Sequence, residues 1–144
     1  MSIKQISVFL ENRPGKLKNM TGVLAQAGID MRALSLAETK DFGIARIIVD
    51  DVFEAVNVLK EADFVASLTS VLAVAVPDEP GGLDKLLAYF NEAEVNIEYM
   101  YAFLGGNDAK HAYMIFRVAD TKAAEAKLAG KGLRILTQED IAQI

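Results

Sequence analysis

The spacing of hydrophobic and polar positions along this chain changes several times, in an order that is then repeated. Ile6, Val8 and Leu10 recur at period two, which predicts a half-buried strand over residues 3–10. Leu17, Met20, Val23, Leu24 and Ala27 follow at helical spacing, and Gly28 supplies the residue that helix C-termini favour. Alternation returns over residues 29–39, and Lys40, Asp41, Phe42 and Gly43 read as a hairpin turn into a paired strand at 44–49. Asp50 or Asp51 can cap a second helix striped by Val52, Ala55, Val56 and Leu59, and residues 64–68 are expected to close the unit as a fourth strand.

From Val71 the same order of strand, helix, strand, strand, helix, strand begins again with almost no linker. Pro14 and Pro80, Leu17 and Leu83, Ala27 and Ala93, and Asp30 and Asn96 are each 66 positions apart. Val49 and Val118, like Leu59 and Leu128, are 69 apart, so the second copy holds three extra residues. A hairpin at Gly105, Gly106, Asn107 and Asp108 is the simplest place for them, because turns tolerate insertions. In the second copy a strand is expected at 72–76, and Leu83, Leu86, Leu87, Phe90 and Ala93 make the first helix face. A weaker, alanine-rich helix follows at 120–129, and a terminal helical turn at 137–144 has Thr137 and Asp140 spaced as a capping box. The expectation is an α+β chain of two βαββαβ units, residues 1–69 and 70–144. A unit of about 70 residues buries only about 60% of its unfolded surface, so the units are expected to share an interface. Antiparallel sheets, packed or paired with pseudo-twofold symmetry, would put both Pro-Gly loops near that seam and cover sheet edges.

The loops carry the candidate chemistry. Asn12, Arg13, Pro14, Gly15, Lys16 and Leu17 return as Asp78, Glu79, Pro80, Gly81, Gly82 and Leu83, each set between a strand and an amphipathic helix. Proline suits a helix's first turn, glycine lets a ligand approach the backbone, and free amides at the positive end of a helix dipole favour a carboxylate. The ammonium of an α-amino acid would then need acceptors, which the side chains of Asn12 and Asp78 or strand carbonyls can supply. Asp30 and Asn96, at the expected start of the second strand of each copy, are the polar residues placed to face a loop across the seam. Arg13 and Lys16 make the first loop more cationic, and Asp78 and Glu79 make the second more anionic, so the two are expected to differ in affinity or in whether they bind. Tyr99, Met100, Tyr101 and Phe103 form an aromatic strand; packing accounts for most of it, with Tyr99 or Tyr101 also a candidate pocket wall.

These loops, with Gly28, Ile29, Asp30 and Met31 and with Val95, Asn96 and Ile97 downstream, resemble ACT domains over nearly the whole chain. The resemblance implies a ferredoxin-like fold, ACT units side by side, and a small effector, usually an amino acid, held between one unit's first loop and its neighbour's second strand. It carries Asn12, Pro14, Gly15, Leu17, Asp78, Pro80, Gly81, Gly82 and Leu83 over as loop positions and Asp30, Met31, Asn96 and Ile97 as strand positions. It further implies a stand-alone, non-catalytic regulatory protein, or a regulatory subunit docking on an amino-acid biosynthetic enzyme, as the acetolactate synthase small subunit does.

Composition narrows the alternatives. The 144 residues carry a net charge of -5 and no cysteine. The acidic balance argues against nucleic acid as a partner, and the missing thiols rule out disulfides, thiolate metal sites and a cysteine nucleophile. His111 is the sole histidine, so neither a multi-histidine metal centre nor a Ser-His-Asp relay is expected, and it reads as a strand-edge residue. The adjacent acids Asp50 and Asp51, or Glu139 and Asp140, suit helix caps better than paired acid-base work. No cofactor fingerprint is present. The start of the chain lacks the pattern of a signal peptide, and no apolar run is long enough for a bilayer helix, so a cytoplasmic location without membrane contact is expected. Leftover sheet edges make a homodimer the expected assembly.

Overall fold

The structure, a computed structural model, describes residues 3–38, 40–105 and 110–144. The chain divides into two compact units, Lys4–Thr69 and Ser70–Ile144, the latter also taking in Ile3. In the first unit, β1 (Ile3–Glu11) and β2 (Met31–Glu38) both pair antiparallel with β3 (Phe42–Val49). Helices α1 (Lys16–Gln26) and α2 (Val52–Glu61) cover one face of that sheet. The alternation in β1 sends Ile6, Val8 and Leu10 to the helix side, where they meet Ala45 and Ile47 of β3, Met20 and Leu24 of α1, and Leu59 of α2. Asp51 caps α2 by accepting from the Glu54 amide at 3.1 Å, which settles the choice between the two aspartates. Asp50 accepts instead from the amides of Asp30 and Asp51.

The second unit repeats these parts. Helix α3 (Gly82–Glu92) stands 66 positions after α1 at both ends, and α4 (Thr121–Leu128) begins 69 positions after α2, with Asp120 capping it as Asp51 caps α2. Strand β6 (His111–Arg117) pairs antiparallel with β4 (Val65–Pro77) and with β5 (Tyr99–Ala102). Leu86 and Phe90 of α3 and Leu128 of α4 pack on Leu72, Val74 and Phe116, with the rings of Phe90 and Phe116 4.8 Å apart. A 3-10 turn at Ala129–Lys131 leads into a segment bonded alongside β4, through Leu136 N–H to Ala73 O at 2.7 Å and Ala75 N–H to Arg134 O at 3.0 Å. The last helix, α5 (Gln138–Gln143), has the expected capping box between Thr137 and Asp140.

Two expectations are corrected. The strands expected at 64–68 and 72–76 are one strand, β4 (Val65–Pro77), that runs from the first unit into the second. Ser67, Thr69 and Ser70 interrupt the apolar run, yet none of them breaks a strand, and the next proline along the chain is Pro77 at the strand's end. The second correction concerns β5, which is half the length of β2 and starts only at Tyr99, leaving Asn96 and Ile97 in the connection before it. Gly106, Asn107 and Asp108 of the expected hairpin insertion lie outside the described residues.

Candidate functional site

Both Pro-Gly loops fold the same way, and turn geometry explains the dipeptide. Lys16 N–H reaches Arg13 O at 3.3 Å, and Gly82 N–H reaches Glu79 O at 3.0 Å. Between them Gly15 has φ 86 and ψ -12, and Gly81 has φ 83 and ψ -3. These are type II turns, with proline at the position that wants φ near -60° and glycine at the one that needs positive φ. Proline therefore precedes the helix cap rather than occupying the first helical turn. The turn leaves each helix start open. Gly15 and Gly81 provide no capping side chain, and among the described residues the amides of Leu17 and Lys18, and of Leu83 and Asp84, have no acceptor.

The surroundings of the two helix starts differ. Around α1 stand Arg13, Lys16 and Lys18, with no acid in the first turn; Asp84 occupies the first turn of α3 and partly answers its dipole. Arg13 pairs with Glu11 at 2.9 Å in the open. Asn12 is committed to the β2-β3 hairpin: its side-chain amide donates to Glu38 at 3.0 Å and its backbone N–H to Asp41 O at 3.0 Å. Asp78 makes the matching backbone bond, to Lys110 O at 2.8 Å. Gly82 has a different reason from Gly81. It is buried, and a Cβ there would collide with the carbonyl of Pro77, whereas the equivalent position in the first unit carries Lys16.

Next to each helix start the unit forms an open pocket. The first, of about 770 Å³, has Glu11 from the end of β1, Lys16 and Asn19 from α1, and Asp63 from the turn after α2 as its polar lining. Phe9 and Phe42, whose rings meet edge to face at 6.3 Å, and Phe64 supply aromatic surface. The second, of about 310 Å³, lies between Val76, Gly82, Lys85, Tyr89, His111 and Arg134. These are repeat-related places: Glu11 corresponds to Pro77, Asn19 to Lys85, Val23 to Tyr89, Phe42 to His111 and Asp63 to Gly132. Asp63 closes α2 in the left-handed region at φ 66, its N–H bonded to Lys60 O at 3.0 Å, where the second unit has Gly132 at φ 75. An acid retained where glycine would be unstrained is a feature often seen at functional positions.

Of the residues expected to form the site, the structure brings Lys16 to the first pocket and Gly82 to the second. Asp30 is exposed and pairs with Arg32 at 2.6 Å, its backbone held by Asp50; Met31 and Leu17 pack on the first core. Leu83 is partly exposed, Asn96 is exposed, and Ile97 packs on the second core. Tyr99 stacks on Tyr101 at 6.5 Å along β5. The pocket residues that sequence reasoning passed over come from the turn after α2 and the end of β1. Their signal was present, since the offset of 69 that relates Leu59 to Leu128 also relates Asp63 to Gly132. Among the described residues no cluster of His, Asp and Glu has the makings of a metal site, and no helix is long and apolar enough to cross a membrane.

A family model described as an ACT domain pair matches residues 1–144. A solved protein from Bacteroides thetaiotaomicron is 35% identical with a TM-score of 0.91, the match covering 100% of this chain and 98% of that one. The ligand-free regulatory subunit of aspartate kinase from Thermus thermophilus is 19% identical with a TM-score of 0.66, over 89% of each chain. The corresponding subunit from Thermus flavus is 18% identical with a TM-score of 0.61, over 88% of each. At these identities the likeness to the Thermus subunits is one of fold. No curated protein matches.

Proposed function

Because the chain belongs to the ACT domain pair family, we propose that it is a non-catalytic regulatory protein that binds a free amino acid and thereby changes how it engages a partner. The observation that carries this reading is the helix start built twice by the same type II turn, with amides left open for a carboxylate. The open amides of Leu17 and Lys18, set among Arg13, Lys16 and Lys18, make the first loop the stronger anion site. Asn12, Pro14, Gly15 and Leu17 shape that loop. Asp78, Pro80, Gly81 and Leu83 shape its counterpart, while Asp30, Met31, Asn96, Ile97 and Tyr99 belong to the surfaces an adjoining ACT unit would complete. The ligand acts by differential affinity for two arrangements, so neither turnover nor a cofactor is required. A homodimer is the assembly we propose. The Thermus structures that share this fold are regulatory subunits of aspartate kinase, which favours an enzyme of amino-acid metabolism as the partner.

A thermal shift screen against the common amino acids and their 2-oxo acid relatives tests this. A ligand at 100 times its dissociation constant stabilises by about 2.7 kcal/mol, a rise of a few degrees for a chain of this size. Gly15→Val forces a branched side chain into positive φ beside the open amides, and its weakening of the shift is the expected result. No stabilisation by any member of the panel contradicts the reading.

A further inference from the structure

The two pockets lie at repeat-related positions, yet their charges have diverged. In the first, the Asp63 carboxylate, the Lys16 ammonium and the Asn19 amide have no partner among the described residues, and Glu11 already holds Arg13. An anion acceptor, a cation acceptor and the aromatic surface of the half-exposed Phe9 and Phe42 and of Phe64 thus line one open pocket. That set matches a zwitterion with a large apolar side chain: carboxylate to Lys16, ammonium to Asp63, side chain to the rings. In the second pocket every acid is gone. Asp63 is replaced by Gly132 and Glu11 by Pro77, while Lys85 replaces Asn19 and Arg134 replaces Val65. Asp140 is the acid that senses Arg134, which helps to hold its carboxyl below the usual carboxylate range after the larger effect of the Thr137 backbone bond. With Lys85, His111 and Arg134 around a smaller space and no carboxylate among its lining residues to pair with an ammonium, this pocket matches a carboxylate without an amine.

We propose that the two units bind different ligand classes: the first an apolar, aromatic α-amino acid, the second an amine-free carboxylic acid of similar skeleton. The chain would then report on an amino acid and its deaminated relative together. This rests on the amino-acid-sensing reading and sharpens it. Each pocket is lined by one unit alone, so the two ligands occupy their sites without competing for the same atoms.

Calorimetry on the full chain with L-phenylalanine and with phenylpyruvate as probes tests the proposal. Asp63→Asn keeps the side-chain shape and suits left-handed backbone while removing the charge. It is expected to weaken phenylalanine at least tenfold and leave phenylpyruvate unchanged. Lys85→Gln combined with Arg134→Gln is expected to do the converse, with each protein's melting curve confirming the fold. Phenylpyruvate that displaces phenylalanine, or Asp63→Asn affecting both or neither, overturns the proposal while leaving amino-acid sensing in place. Failure of both probes to bind overturns the proposal, and a null amino-acid screen beside it removes the sensing reading as well.

Discussion

The two halves of this molecule share a backbone plan and differ in what stands around it. Helix α1 starts in a setting of lysine and arginine beside a wide pocket that keeps an acid in a strained conformation. Helix α3 starts among Asp78, Glu79 and Asp84, beside a narrow pocket whose charged lining is basic. The loops alone therefore suggest one polarity and the pockets the other. Duplication preserved the turn, the caps and the core positions, and the chemistry diverged at side chains that the fold leaves free.

Core truncations give the largest expected contrast. Phe90→Ala removes a fully buried ring tilted against Phe116 and should cost about 3–5 kcal/mol. Leu24→Ala, at the repeat-related place in α1 (24 to 90 differs by 66), should cost about 2–5 kcal/mol. Urea unfolding followed by a probe in each unit checks whether the loss stays local or is shared. A smaller contrast lies at the helix starts. Gly82→Ala forces a methyl against the Pro77 carbonyl and should cost about 1–3 kcal/mol, whereas Lys16→Ala at the equivalent place should cost under about 0.5 kcal/mol.

Backbone strain predicts a gain. Glu94 sits at φ 55 after α3, where the first unit has Gly28 at φ 72. Relief of about 1–2 kcal/mol outweighs the entropy of glycine, about 0.5–1 kcal/mol, so Glu94→Gly should stabilise slightly and raise the urea midpoint. The smallest effect concerns Asp140. The Thr137 backbone bond lowers its pKa in the folded chain, so its contribution is present above the ordinary carboxylate pKa and fades as pH falls through the lowered value. Asp140→Asn should remove that part of the acid sensitivity, seen as a flatter stability profile below about pH 4.

What the sequence made legible was whatever local physics decides. The period of apolar residues identified α1, α2 and α3, an aspartate at 50 or 51 marked the start of α2, the spacing of Thr137 and Asp140 marked the start of α5, and the two offsets marked the repeat. Turn chemistry made the Pro-Gly loops visible, though as type II turns before the cap rather than as first helical turns. Other features depend on what packs against a segment. Nothing local says that Ser67, Thr69 and Ser70 continue one strand, or that Asn96 lies short of β5. The pockets join the end of β1 to the turn after α2, more than 50 positions away, so neither the aromatic lining nor Asp63 could be assigned from spacing within one element.

The most direct test follows the backbone amides by nuclear magnetic resonance while L-phenylalanine and other apolar amino acids are added. The account predicts the largest shifts at Leu17, Lys18 and Asn19 and at Asp63, Phe64 and Val65, saturating together. Amides that stay unmoved there, or shifts confined to residues distant from the α1 start and its pocket, would contradict it.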